Sequence, residues 1–354
     1  MKKYFLLLLI TLFGFYLIGC SGKTNDPNDD DKDIIEVPEE EPEEEPEDKP
    51  EEQKPTINTT FDHSMHTVFQ KVNPYTEDIE LYIYIGYYPQ SEIKQPAVIR
   101  ELEKITETNE RGYIEYDNHE IAKVTVKNNH IYGDEPSTDE TYYLSTQYRV
   151  GTTHYFLVEP ICWKILNNPS SNELLLLTED IIDSRCFNDF DNSYTDEEGK
   201  LIRASDFEYS SIRKWLNDYF YNNAFTDEEK ALIQDSYNVN NPVYNFSTTN
   251  FVKLNPTTDK VFLLSYKEVT NFSYGFYNQE CRMAKPSDFS RAKGSLSIKN
   301  DVSSSTNWWL RTGYEFTPLF PAMVKYEGTA DKNYYPQGEN IGVRPAIRII
   351  LNDK

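Results

Sequence analysis

From Ser21 to Thr56 the chain cannot build a core. The run holds sixteen Asp and Glu against four Lys, with Pro27, Pro38, Pro42, Pro46, Pro50 and Pro55 spread through it. Its few apolar residues, Ile34, Ile35 and Val37, cannot offset the entropy of ordering the backbone. Regular prolines and mutually repelling carboxylates keep such a segment extended, as a spacer. A cation site at Asp26, Asp29, Asp30 and Asp31 is the competing reading, but a disordered acidic run needs only a diffuse ion atmosphere. Whatever folds therefore lies in residues 57–354, enough for one large domain or for a domain with a smaller N-terminal lobe.

Ahead of the spacer, Lys2 and Lys3 precede an apolar run from Tyr4 to Tyr16, and Leu17-Ile18-Gly19-Cys20 matches a bacterial lipobox. Tyr4 to Gly19 is sixteen residues, below the roughly 20 that span a bilayer. The expectation is a signal peptide over residues 1–19, cleavage before Cys20, and acylation of the Cys20 thiol by diacylglycerol and palmitate-like chains. This predicts a lipoprotein whose partner is the bilayer, held at the extracytoplasmic face of the cell membrane, with residues 20–56 as its stalk.

The net charge is −24; with +2 in residues 1–20 and −12 in the acidic run, −14 remains on residues 57–354. An acidic domain argues against nucleic acid and against anionic lipid heads as partners. The 27 Tyr suit an exposed recognition surface, although AT-rich coding sequence inflates Tyr equally. Cys162 sits in an apolar run and reads as core, whereas Cys186 and Cys281 lie in polar contexts and form a disulfide if they meet in space.

Glu80 to Gly86 alternates as a strand that Pro89 stops, and Ser91 then caps a helix presenting Val98, Leu102 and Ile105. Strands follow at Ile121–Val126, His154–Val158, Cys162–Leu166 and Glu173–Thr178, the last two joined by a turn over Asn167–Asn172. Ile212, Trp215, Leu216 and Tyr219 fall at helical spacing behind Ser210, and Thr226 with Glu229 forms a capping box. Val261–Ser265, Asn307–Arg311, Ala322–Tyr326 and Gly342–Leu351 complete the strands. The pattern is α+β, a mainly antiparallel sheet with a few short helices.

Five blocks carry a resemblance: Tyr87-Tyr88-Pro89-Gln90-Ser91-Glu92, Glu159 to Leu166, Ser211 to Asn217, Trp308-Trp309-Leu310-Arg311 and Gly342-Val343-Arg344-Pro345-Ala346. In this order they resemble a bacterial domain-of-unknown-function family common in exported proteins, over about residues 81–351. The last two blocks are also similar to the end of the C-type-lectin-like fold shared by formylglycine-generating enzymes. Neither of those activities is implied: Glu159-Pro160 is followed by Ile161 where the lectin calcium site has Asn, and no cysteine pair is placed to bind copper.

Alternation puts Trp308 and Leu310 on one face of a strand and Trp309 and Arg311 on the other, so one Trp is expected in the core and the other partly exposed. An exposed Trp309 beside Arg311, with Trp308 and Arg344 near, would stack a sugar ring or clamp a carboxylate; the alternative has both Trp in the core and both Arg tied to buried carbonyls or Asp. Pro345 is expected to aim the Arg344 guanidinium out of its strand. His63 and His66 have no third metal ligand, and Asp189 to Gly199 fails the calcium-loop pattern at Tyr194 and Lys200, so it reads as a polar loop. His154 reads as a surface residue, or as a base if Asp or Ser lies near. No nucleophile elbow, phosphate loop, dinucleotide fingerprint or zinc helix is present, and neither metal nor cofactor is expected. The expectation is a surface recognition module for a carbohydrate, peptide or cell-wall ligand rather than an enzyme. Two alternatives stand: an enzyme using carboxylates in a cleft near Arg311 and Arg344, or a structural envelope protein binding partner proteins.

Overall fold

The computed structural model describes residues 54–59, 64–126, 148–166, 173–240, 254–295, 305–313, 320–331, 336–338 and 340–351. Contacts divide the chain into units 1–53 and 54–354, and all described residues belong to the second. Cys20, nearly all of the acidic spacer, His63 and the turn at Asn167–Asn172 lie outside the described residues. Pro55 and Thr56 of the spacer are already bound to the domain. The Tyr116 hydroxyl donates to the Pro55 carbonyl at 2.6 Å, and Gln95 donates to the Thr56 carbonyl.

Along the chain run β1 (Phe69–Val72), β2 (Ile79–Glu92), α1 (Pro96–Leu102), β3 (Ile114–Tyr116), β4 (His119–Thr125), β5 (Thr153–Ile165), β6 (Glu173–Thr178) and β7 (Asp183–Ser184). A small hairpin, β8 (Tyr194–Thr195) and β9 (Leu201–Ile202), stands where a polar loop was expected. Then come α2 (Ser211–Trp215), a π-helical turn (Leu216–Phe220), α3 (Tyr221–Ala224), α4 (Asp227–Leu232) and the hairpin β10 (Ser236–Asn238) with β11 (Thr257–Asp259). The chain closes with β12 (Val261–Phe262), α5 (Tyr266–Val269), α6 (Asp288–Ala292), β13 (Trp308–Gly313), β14 (Pro321–Val324), β15 (Ala330–Asp331), β16 (Gly342–Val343) and β17 (Ala346–Ile350).

The expected α+β class is what the strands form. One eight-stranded sheet has the order β1-β2-β5-β6-β17-β12, with β3 and β4 attached through β4 to β5; a five-stranded sheet has the order β15-β14-β13-β16-β7. Among the described strands every pairing but one is antiparallel, the exception being β13 with β16. The final run Gly342–Leu351, expected as one strand, is two. β16 closes in the five-stranded sheet and β17 in the eight-stranded one, so Arg344-Pro345 is where the chain changes sheets. Proline, without an N–H, suits a step between ladders.

One apolar cluster joins both sheets, with Trp163, Phe187, Phe207, Trp308 and Trp309 fully buried within it. α6 contributes Phe289, set edge-on to Tyr88 at 5.5 Å and to Phe156 at 5.4 Å. A smaller cluster places Val98 and Leu102 of α1 over Ile114, Ile121 and Tyr155. In the segment after Ser210, whose hydroxyl oxygen accepts the Arg213 N–H, the π turn adds a residue to the helical repeat. Phe220 therefore replaces Tyr219 on the buried face, and Tyr219 stays 45% exposed. Asn217 from the same block fastens β12: its amide donates to the Val261 carbonyl at 2.9 Å and its oxygen accepts from Lys260 and Val261.

Pro89, expected to stop a strand, lies inside one, and so does Pro160, because the runs expected as separate strands at His154–Val158 and Cys162–Leu166 are one strand, β5. Pro89 faces Val158 in β2, and Pro160 faces Tyr87 in β5. Each sits where its strand has a single neighbour. β1 pairs β2 only as far as Tyr82, while on the far side of β5 the partner β4 ends at Leu157 and β6 starts at Trp163. A missing donor costs nothing on an unpaired side. The helix of Val98 starts at Pro96, behind Gln95 and not behind Ser91, because β2 continues to Glu92.

Candidate functional site

The tryptophan–arginine group is internal. All six residues of β13 are buried, because other layers cover both of its faces. The expectation of a half-exposed Trp309 therefore fails. Its ring NH donates to the Arg185 carbonyl at 2.8 Å and the ring packs against Phe187; the Trp308 NH donates to the Arg282 carbonyl at 3.1 Å. Arg311 donates to the Leu263 carbonyl at 2.6 Å and pairs with Glu268 at 2.5 Å. Burial alone would raise the Glu268 pKa, but Arg311 and the Ser265 cap outweigh it and hold the carboxyl below its ordinary value. Arg344 points inward, not out. It donates to the Thr178 carbonyl at 2.7 Å, lies over the Trp308 ring at 5.0 Å, and burial lowers its pKa. The cysteine expectations also change. Cys186 and Cys281 form no disulfide with each other, the first lying beside Asp189 and the second beside Asn278, and Cys162 is only half-buried.

Two bulges in β2 build a different site. Tyr84 pairs with Cys162 and Tyr87 with Pro160, so β2 carries one residue more than β5 between them. Two side chains three apart would ordinarily face opposite ways; the bulge turns Tyr84 and Tyr87 to one outward face. The extra residue rests on Gly86, at φ +69°, where a Cβ would lie 2.7 Å from the Ala224 carbonyl oxygen. Its N–H, taken out of the ladder, donates at 2.8 Å to Glu229, the capping-box carboxylate of α4, which also accepts from the Thr226 N–H at 2.9 Å. His66 bonds the oxygen of Glu229 that accepts from Gly86, at 3.0 Å. The Ile85 carbonyl in the bulge accepts from Trp163 at 2.8 Å.

A second bulge separates Pro89, opposite Val158, from Glu92, opposite Phe156. Here the freed N–H of Ser91 donates to Glu159 at 2.8 Å, and Gln90 donates to the carbonyls of Glu159 and Pro160 at 3.0 Å each. The block from Tyr87 to Glu92 is thus the stretch between two bulges, each satisfied by a buried carboxylate.

Beside it opens a groove of about 320 Å³, whose walls include Tyr84, Glu159, Cys162, Asp180, Lys285 and Asp288. Lys71 and Glu179 close one side as an ion pair at 2.5 Å. Burial pushes Asp180 up to about 6, with Lys285 at 3.9 Å only partly opposing it. Burial also raises Glu159, against the hydrogen bonds from Ser91. The Cys162 thiol is pushed up by burial and then by Glu179, so it is not a thiolate nucleophile. Three cations, Lys71, Lys285 and Arg291, face four carboxyls, of which two hold their protons more readily than usual, so the groove is close to neutral. Among the described residues no group of three His, Cys, Asp or Glu could hold a metal ion.

His154 belongs to a separate cluster. Nδ1 lies 2.6 Å from Glu92 and Nε2 2.8 Å from the Thr152 hydroxyl. The order resembles a nucleophile, base and orienting acid. The Thr152 proton is directed at the Arg149 carbonyl, 2.6 Å away, so the hydroxyl offers the imidazole a lone pair and is not activated for attack.

Sequence reasoning placed the site on Trp309 and missed the groove, although Glu159, Gln90 and Ser91 stand in two of its recognised blocks. The available signal was the two prolines inside otherwise strand-like runs. No helix among the described residues is long and apolar enough to cross a membrane. No curated protein and no solved structure matches the chain. Residues 171–351 match the family described as "Domain of unknown function (DUF6273)", a span that holds the blocks from Ser211, Trp308 and Gly342 but not those from Tyr87 and Glu159. With more than half of its length matched, the chain belongs to that family.

Proposed function

We propose that this protein is a lipid-anchored extracytoplasmic binding module that takes an uncharged glycan in the groove beside Glu159. The supporting observation is the groove itself: a near-neutral, polar hollow with outward-facing Tyr84, carboxyl acceptors and lysine donors, in a domain of otherwise acidic balance. Hydroxyl groups can accept from Lys285 and donate to Glu159 and Asp180 without bringing a charge into the partly buried wall. The lipobox at Cys20 and the acidic spacer support the location.

Two measurements test this reading. Cys20→Ala in producing cells is expected to move the protein from the membrane fraction to the medium, and retention in the membrane refutes the anchor. Detergent-solubilised full-length protein applied to arrayed neutral glycans is expected to bind, and Glu159→Gln to lower that binding more than about tenfold, or 1.4 kcal/mol. Binding indifferent to Glu159→Gln and Asp180→Asn places the ligand elsewhere.

A hydrolytic reading has one observation in its favour. Glu159 and Asp180 share a groove, and burial makes both hold a proton more readily than an ordinary carboxyl, as suits a general acid. It predicts release of reducing ends that is lost in Glu159→Gln while affinity persists. Bound glycan recovered intact after long incubation excludes it.

A further inference from the structure

We infer that the ligand is a linear oligosaccharide laid along β5, with ring-sized subsites on both sides of Glu159. This rests on the glycan-binding reading above and adds the shape of the ligand. On the other side of Glu159 from the groove is a second hollow of about 360 Å³, walled by Tyr87, Asn118, His119, Glu120 and Leu157. Glu159 and Pro160 line both hollows, so the two meet at these residues. Together they follow β5 from Leu157 to Cys162, about 17 Å at the rise of an extended strand. That length suits several rings in a row and is excessive for one.

The sheet topology explains why an elongated trough exists here. Between Val158 and Ile161, β5 has only β2 beside it among the described strands, since β4 stops at Leu157 and β6 begins at Trp163. The facing ends of those two interrupted neighbours supply the two end walls. His119 and Glu120 come from the start of β4; Glu179 and Asp180 follow β6. The bulge at Gly86 then sets Tyr87 over one hollow and Tyr84 over the other. One aromatic face per subsite is the usual arrangement for stacking a row of flat-faced units.

A peptide added as a strand is the rival occupant of a gap in a sheet. The backbone in this gap is already engaged. Pro160 has no N–H, the carbonyls of Glu159 and Pro160 accept from Gln90, and the Cys162 carbonyl accepts from the Glu179 N–H at 2.9 Å. Few ladder partners are left, so recognition falls to side chains. The second hollow is also balanced in charge, because Arg111 pairs with Glu120. A polyanionic chain would gain nothing along either half.

The experiment is titration of the detergent-solubilised full-length protein with homologous series of neutral glucans, xylans and N-acetylglucosamine oligomers, from monosaccharide to hexasaccharide. In the series that binds, affinity is expected to climb with length and then level off. Tyr87→Ala, in one hollow, and Asp180→Asn, in the other, should each weaken the hexasaccharide roughly three- to tenfold. The monosaccharide should respond to only one of the two. Melting temperatures no lower than that of the wild type keep these variants interpretable. Affinity independent of length, or a hexasaccharide indifferent to Tyr87→Ala, overturns the linear arrangement. If Glu159→Gln still abolishes binding in that case, the groove remains a glycan site. Failure of every series to bind overturns both.

Discussion

β13 and the β2–β5 pair are both aromatic strands at the centre of their sheets, yet they have opposite fates. Trp308 and Trp309 are covered on both faces, and their polar atoms all turn to internal carbonyls. Tyr84 and Tyr87 look outward beside prolines and unpaired strand edges. Central position in a sheet therefore does not decide exposure; coverage by a second layer does. Residue type carries part of the difference. An indole with one donor is satisfied by a single carbonyl and can be buried whole, whereas Tyr with its hydroxyl suits a half-wet surface.

The largest effect should come from the covered strand. Trp309→Ala is expected to cost about 3–5 kcal/mol in denaturant unfolding. A stable Trp309→Ala protein that had lost only ligand binding would return Trp309 to the surface and break the contrast. Next, Gly86→Ala combines left-handed strain with a clash against the Ala224 carbonyl, and about 2–3 kcal/mol is expected. Glu229→Ala removes the acceptor of the same N–H together with the α4 cap, for about 2 kcal/mol. Because both changes act on one bulge, the double variant should fall short of their sum; simple additivity would mean that Glu229 does not hold the bulge.

Asp180→Asn tests the groove through pH. Burial raises the Asp180 pKa to about 6 from an unfolded value near 3.9, so its favourable contribution is complete below about pH 4 and is lost as pH rises through 6. The Asn variant never ionises. It should match wild type in acid and be more stable by about 1 kcal/mol at pH 7, the partial exposure of the site keeping the gain small. Equal stability at both pH values would show Asp180 to be fully solvated. Smallest of all, Tyr87→Ala should change stability by less than about 0.5 kcal/mol. A loss comparable to that of Trp309→Ala would show Tyr87 to be a packing residue.

What could be read from the sequence were the features completed within a turn or a single strand. The Thr226–Glu229 box, the Ser210 cap, the strand at Glu173–Thr178 and the α+β class all emerged because their hydrogen bonds or their alternation close over a few residues. The five blocks were legible as blocks, but not the distant partners on which they and the neighbouring Gly86 depend. Asn217 fastens Val261, Gly86 needs Glu229, Ser91 needs Glu159 and Arg344 needs Thr178, each a partner at long range. The exchange of Tyr219 for Phe220 was equally hidden, since one π turn shifts the periodicity by a residue.

The sequence by itself determined the class of the fold and most of its elements, because capping and alternation act locally. The tertiary structure alone decided which aromatic strand is sealed and which is open. That choice depends on what lies across the sheet, on two bulges balanced by distant carboxylates, and on neighbouring strands that stop short. No stretch of residues in isolation carries that information.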